Sequence, residues 1–192
     1  MTDAPRALRV DARRNRARIL DVARTVIEEQ GTQASLRDIS RRAGVGMGTL
    51  YRHFATREEL LEALLGSRFD RLAARAAALE ASHVPAHEAL AEWLREFAAG
   101  AATYRGLAAS MIATLEDGSS SLHASCAGMR DAGGRLLKRA QETGHIRPDV
   151  DGTDLFALFS ALASIADVAP SIGTRHDHLF AVVLEGLVSR TG

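Results

Sequence analysis

The stretch "SLRDISRRAGVGMGTLYRHF", Ser35 to Phe54, limits the possible fold more than any other part of the chain. It holds two short pieces with helical apolar spacing on either side of Ala43-Gly44-Val45. Leu36, Ile39 and Ala43 make the inner face of the first piece, and Val45 and Leu50 that of the second. Two short helices joined by a three- or four-residue turn containing glycine form a helix-turn-helix. Gly44 suits that turn if the backbone there is left-handed, a conformation glycine adopts without a Cβ penalty. The packing leaves Arg37, Arg41, Arg42, Met47, Gly48, Thr49, Tyr51, Arg52 and His53 for the outer surface.

The rest of the chain reads as helices. Ile19, Val22, Ala23, Val26 and Ile27 predict a first helix from Asn15 to a stop at Gly31. Residues 1–14 lack periodicity and are expected to form a flexible basic arm. Ser35 is a good N-cap for the second helix, with Asp38 completing a capping-box-like pair. The third runs to about Phe54. Thr56 caps a long fourth helix, with Glu58 and Glu59 in its first turn and an apolar stripe to about Ala81. Pro85 interrupts. A fifth helix follows around Leu90, Trp93, Leu94 and Phe97, and a sixth over Leu107 to Leu115. The seventh, Ser121 to Thr143, is weakened by Gly133-Gly134. The eighth, "DLFALFSALASIADV", and the ninth, "HLFAVVLEGLV", are apolar on more than one face. No segment alternates with period two, so the expected class is all-α, with about nine helices. The expected domains are a helix-turn-helix head over 1–56 and a helical body over 57–192.

Charge divides the same way. The formal net charge is zero, yet residues 1–57 hold 12 basic against 6 acidic residues and residues 58–192 hold 12 against 18. A basic head on an acidic body suits binding of a polyanion. The outer surface of the helix-turn-helix fits a major groove about 12 Å wide, with the second helix as reader. Thr49, Tyr51 and His53 carry donors suited to phosphate oxygens. Arg37 can fork onto guanine, and Gly46 and Gly48 allow close backbone approach. Arg13, Arg14 and Arg16, in "RRNRAR", are placed to reach backbone or a minor groove.

These residues carry a resemblance. "RARILDVARTVIEEQG…SLRDISRRAGVGMGTLYRHFATREELLEAL", from about Arg14 to Leu65, resembles the DNA-binding head of TetR-family transcriptional regulators. The resemblance implies a homodimer of nine-helix chains, with the two third helices in successive major grooves of a palindromic double-stranded operator. It implies a body that binds a small-molecule effector and so changes the spacing of the heads. By position, Arg37, Met47, Gly48 and Thr49 would face bases. Thr49, Tyr51, His53 and Arg57 would face phosphate or support such contacts, beside Arg52 on the same surface. Gly46 departs from the pattern, which often has Ser or another N-cap former after Ala-Gly-Val. Glycine still caps passably. Met47 suggests apolar contact to a thymine methyl.

In the body, the last two helices hold more apolar residues than one small chain should cover. Leu155, Phe156, Leu158, Phe159, Leu162 and Ile165, with Leu179, Phe180, Val182, Val183 and Leu187, suggest a four-helix interface with a second copy. Leu155, Phe156, Phe159, Leu162, Phe180, Val183 and Leu187 are its named candidates. The fourth to seventh helices should enclose the effector site, lined by Trp93, Phe97, Tyr104, Met111, Cys126 and Met129. Cys126 is the only cysteine, so no intrachain disulfide forms. It reads as a buried small residue, since no basic neighbour favours a thiolate. His83 and His87 flank Pro85, and His176 and His178 point to different helix faces, so no metal site is expected. No phosphate-cradling glycine loop, metalloprotease motif or G-x-S-x-G turn is present. No apolar run reaches the ~20 residues of a membrane span, and no secretory signal is evident. The expectation is a cytoplasmic, non-enzymatic repressor without cofactors, released from its operator by an inducer. The alternative is an all-α ligand-binding or enzymatic bundle whose head serves protein interaction.

Overall fold

Residues 4–18, "APRALRVDARRNRAR", contain no glycine and are rich in Ala, Arg and Leu, which favour helix. Their one proline, Pro5, falls in the first turn, where a missing N–H costs nothing. In the computed structural model, which describes residues 4–103, 116–168 and 170–189, the first helix accordingly starts early. Helix α1 spans Ala4–Gln30, so the flexible arm expected over 1–14 is instead helical from Ala4. The lack of an apolar stripe there does not prevent a helix.

The chain divides into two compact units, residues 1–65 and 66–192. The first holds α1, α2 (Leu36–Arg42), α3 (Met47–His53) and the start of α4 (Arg57–Glu80). Its core is Ile19, Ala23, Val26, Ile27, Ile39, Leu50, Phe54, Leu60, Leu64 and Leu65, each at most 2% exposed. Thr56 starts α4 as expected: its Oγ1 accepts the Glu59 N–H at 3.1 Å, while Glu59 accepts the Ala55 N–H at 2.8 Å. Ser35 does not repeat this pattern. It occupies the N-cap position of α2 without a side-chain cap bond. Asp38, expected to complete a capping box, binds Gln30, Arg41 and Arg42 instead.

The second unit contains the rest of α4, α5 (Ala86–Thr103), α6 (Ser121–Glu142), α7 (Gly152–Val168), α8 (Pro170–Gly173) and α9 (His176–Gly186). Helix α5 packs on α6 and α7, and α7 also meets α6, α8 and α9. The Ser120 hydroxyl caps α6 by accepting the His123 N–H at 3.0 Å. Asp151 caps α7 by accepting the Thr153 and Asp154 N–H groups at 2.7 and 3.0 Å. Ile146, between α6 and α7, and Val188, after α9, form an isolated antiparallel bridge. The described residues thus form nine helices and no named strand, an all-α fold. The helix expected over Leu107–Leu115 lies outside the described residues, as do Tyr104 and Met111. The one-turn α8 was not anticipated.

Gly133-Gly134 does not interrupt α6. A Cβ on Gly133 would stand 2.4 Å from Cη2 and 2.7 Å from Cζ3 of Trp93. That indole is itself held, with its Nε1 donating to the Leu72 carbonyl at 2.9 Å. Gly133 is therefore the space into which the tryptophan packs. A Cβ on Gly134 would meet nothing within 4 Å. The two glycines give opposite expectations. Gly133→Ala should destabilise by about 1–2 kcal/mol, because overpacking outweighs a helix-propensity gain of about 1 kcal/mol. Gly134→Ala should stabilise by up to about 1 kcal/mol. Urea denaturation of both variants checks this, and a loss of stability in Gly134→Ala would contradict it.

Candidate DNA-binding surface and effector-binding body

The turn between α2 and α3 is built by the backbone. Gly44 has φ +62°, in the left-handed region. Its N–H donates to the Arg41 carbonyl at 3.1 Å, and the Val45 N–H donates to the Ser40 carbonyl at 3.0 Å. These are the two bonds of a Schellman stop, which satisfies the last carbonyls of α2. No atom lies within 4 Å of a Cβ built on Gly44, so the glycine is required by backbone conformation and not by space. Two residues later Gly46 is the N-cap of α3, with extended φ −68° and ψ 152°. Its carbonyl accepts the Thr49 and Leu50 N–H groups at 2.9 and 3.0 Å. The Ser-to-Gly departure therefore leaves helix initiation intact.

Side chains then fix which face of α3 is free. Leu50 is fully buried and Phe54 is 2% exposed, anchoring one side. Tyr51, on the other side, is 48% exposed, unusually open for a tyrosine. Arg52 is exposed and donates to the Gly48 carbonyl at 3.2 Å and to the Thr49 Oγ1 at 2.9 Å. This orders the arginine and the threonine hydroxyl together. Met47 and His53 are half-buried, and the Met47 sulfur accepts the Ser40 hydroxyl at 3.1 Å. Gly48 is exposed. Arg37, exposed on α2, has no ion-pair partner among the described residues. Arg57 is half-buried and donates to the Thr32 carbonyl at 2.8 Å, which ties the start of α4 to the end of α1.

Three other arginines make contacts that the sequence reading did not include. Arg41 and Arg42 are exposed, as expected, and are also bound to acids. Arg42 reaches Glu29 of α1 at 2.7 Å and Asp38 at 3.0 Å, and Arg41 also binds Asp38. The i,i+3 and i,i+4 spacing from Asp38 was the sequence signal for these pairs. Hydrogen bonds from Arg41 and then Gln30, with the charge of Arg42, hold the Asp38 carboxyl below the usual range. Arg16 lies over the Phe54 ring, 5.0 Å from its centroid.

In the body, Trp93, Phe97 and Met129 come together around a cavity of about 10 Å³, also lined by Leu94, Leu155 and Phe156. That is about the space of a single water. Cys126 is 8% exposed, and burial raises its thiol pKa against the opposing charge of Arg130. Most of the residues assigned to pairing lie within the chain's own core. Leu155, Phe159, Leu162, Phe180 and Leu187 are each at most 6% exposed, and Phe159 meets Phe180 edge-on with centroids 5.3 Å apart. Phe156 and Val183 are half-buried. The surplus of apolar residues on the last helices is thus taken up largely inside one chain. Val188, just past α9, is 52% exposed, and α7 and α9 themselves carry open apolar positions at Leu158, 45% exposed, and Val182, 51% exposed. Each of these two sits among small exposed residues: Ala157 and Ala161 on α7, Ala181 on α9.

A three-helix head with this turn, joined in sequence to a helical body, defines a helix-turn-helix DNA-binding regulator. Residues 19–64 match the family described as bacterial regulatory proteins, tetR family. Residues 85–189 match the SbtR-like transcriptional regulator C-terminal domain. The chain is similar to a TetR transcriptional regulator from Streptomyces coelicolor, with 35% identity, TM-score 0.71, and coverage of 92% of this chain and 99% of that one. It is also similar to a TetR regulatory protein from Mycobacterium vanbaalenii, with 33% identity, TM-score 0.67, and coverage of 95% and 99%. An HTH-type transcriptional regulator of Staphylococcus aureus strain USA300 is 43% identical over 54 residues, 28% of this chain and 29% of that protein. The chain belongs to the TetR family of transcriptional regulators.

The Asp38 network gives a pH signature. A carboxyl held low in the folded head adds stability above its ordinary range, and that stability is lost as pH falls through its folded value. Asp38→Asn should therefore lower the urea midpoint at pH 7, and the two proteins should converge in strong acid. A difference that persists unchanged at the lowest pH where both fold would contradict the charge role.

Proposed function

We propose that this chain is a ligand-responsive repressor. It binds a palindromic operator as a homodimer and leaves it when a small-molecule inducer binds the body. The carrying observation is the open face of α3. Tyr51 stands 48% exposed, next to the ordered Arg52–Thr49 pair, over a buried Leu50. An aromatic hydroxyl, a threonine hydroxyl and a guanidinium on one exposed helix are donors for DNA phosphate. Gly48 lets the backbone come close, the free part of Met47 is suited to a thymine methyl, and Arg37 is available to guanine. His53 supports the phosphate side. Arg57 acts from behind, holding the start of α4 to Thr32.

Pairing is supported by the family, whose members act as dimers, and by Leu158 and Val182 standing open on α7 and α9. Induction follows if the effector stabilises a dimer whose heads no longer match about one helical turn of DNA. The body requires no catalysis for this role.

Titration against DNA flanking the chain's own gene and a scrambled duplex, at low and moderate salt, tests the residue roles. Tyr51→Phe should weaken binding to both duplexes alike, by roughly 3- to 10-fold, the loss of about one hydrogen bond. Arg37→Ala should reduce discrimination by about 1–3 kcal/mol at one base pair. Equal losses on both duplexes for Arg37→Ala would remove its base-reading role.

A further inference from the structure

Three rings lead from the core of the body to its surface. Trp93 and Phe97 lie 5.8 Å apart and nearly parallel, at 16°. Phe97 and Phe156 are 5.8 Å apart and tilted by 51°. Trp93 and Phe97 are each 5% exposed, while Phe156 is half-buried. The guanidinium of Arg130 covers this last ring, 5.2 Å from its centroid. Outside lies an open groove of about 830 Å³ along α6 and the start of α7. Inside lies the cavity of about 10 Å³. Arg130, Gly134 and Gly152 line both, so Arg130 is the side chain that stands between them.

Arg130 is held weakly. Its polar contact is a long 3.5 Å bond to the Thr153 Oγ1, and no carboxylate lies at ion-pair distance among the described residues. Lys138, two turns along the same face of α6, lines the groove and likewise has no ion pair among the described residues. Arg135, also in the groove, is paired with Glu80. The groove has two carboxylates: Asp151 is engaged with the first N–H groups of α7, and Asp131 is exposed. An exposed cation–π contact is weak enough to be exchanged for a charge-assisted hydrogen bond to an anion.

We propose that Arg130 is both gate and anchor for an aromatic monoanion. The guanidinium leaves Phe156, the aromatic part of the ligand enters beside Phe156 and Phe97, and its carboxylate or sulfonate is held by Arg130 with Lys138. This rests on the reading of the body as an effector sensor, but its test does not involve DNA, so the two fail separately.

The probes are 8-anilinonaphthalene-1-sulfonate and its uncharged counterpart N-phenyl-1-naphthylamine, which share an aromatic skeleton. Trp93 is the only tryptophan, so energy transfer from it to bound dye locates the site. The full-length protein should bind one sulfonate dye per chain with quenching of Trp93. Arg130→Gln should weaken that binding at least tenfold, Arg130→Lys should restore most of it, and the neutral dye should change less than threefold. Equal loss of both dyes in Arg130→Gln, or an unchanged sulfonate affinity, would overturn the proposal. So would sulfonate binding without transfer from Trp93, or no binding at all. Unfolding midpoints of the variants within a few degrees of wild type exclude a folding defect, and Lys138→Gln, remote from the aromatic rings, should weaken the sulfonate dye alone.

Discussion

The left-handed turn at Gly44 is the constraint on which the DNA-binding surface depends. Its two backbone bonds stop α2 and aim the chain so that Gly46 starts α3 two residues later. A residue with a Cβ would meet no neighbour there, but it would carry the intrinsic cost of a left-handed backbone, about 1–2 kcal/mol. Relief of that cost would re-aim α3, because no side-chain cap holds either helix start in place. The direction of Tyr51, Thr49 and Arg52 therefore rests on backbone geometry. The Asp38 cluster adds a brace from α1 through Glu29 and Gln30, and Arg57 adds another through Thr32.

The body is organised around one aromatic residue. Trp93 takes the space left by Gly133, bonds the Leu72 carbonyl and stacks on Phe97. The cavity of about 10 Å³ beside it has room for no more than a water, so the effector binding proposed for the body would need side chains to move. Phe156, covered by Arg130, is the proposed place for such a movement. Head and body thus use arginine in different ways. In the head, paired arginines build the scaffold and Arg37 is left available; in the body, a weakly held arginine covers an aromatic ring.

Much of the fold was legible because helical period and turn chemistry are local signals. Gly31, Gly44 and Gly144 all have positive φ, and each follows the end of a helix read from spacing. The extension of α1 to Ala4 is not legible from periodicity because that stretch has no apolar stripe to read. Gly133-Gly134 looked like a weakness because only the packed Trp93 explains why one of the two must be glycine. The same limit applies to the last helices. Leu155, Phe159 and Phe180 look alike whether they meet a partner or their own chain, and three-dimensional packing places them in the core. Arg41 and Arg42 are exposed as their positions imply, and their pairing with Asp38 follows from a spacing that is itself legible in the sequence.

Hydroxyl-radical footprinting on the DNA flanking the chain's own gene tests the central claim most directly, that α3 of a paired head reads an operator. The account predicts two symmetric protected patches centred about 10–10.5 bp apart, or a multiple of that, reflecting two heads in successive major grooves. They should be absent from a scrambled duplex at the same protein concentration. Uniform weak protection of both duplexes would contradict it.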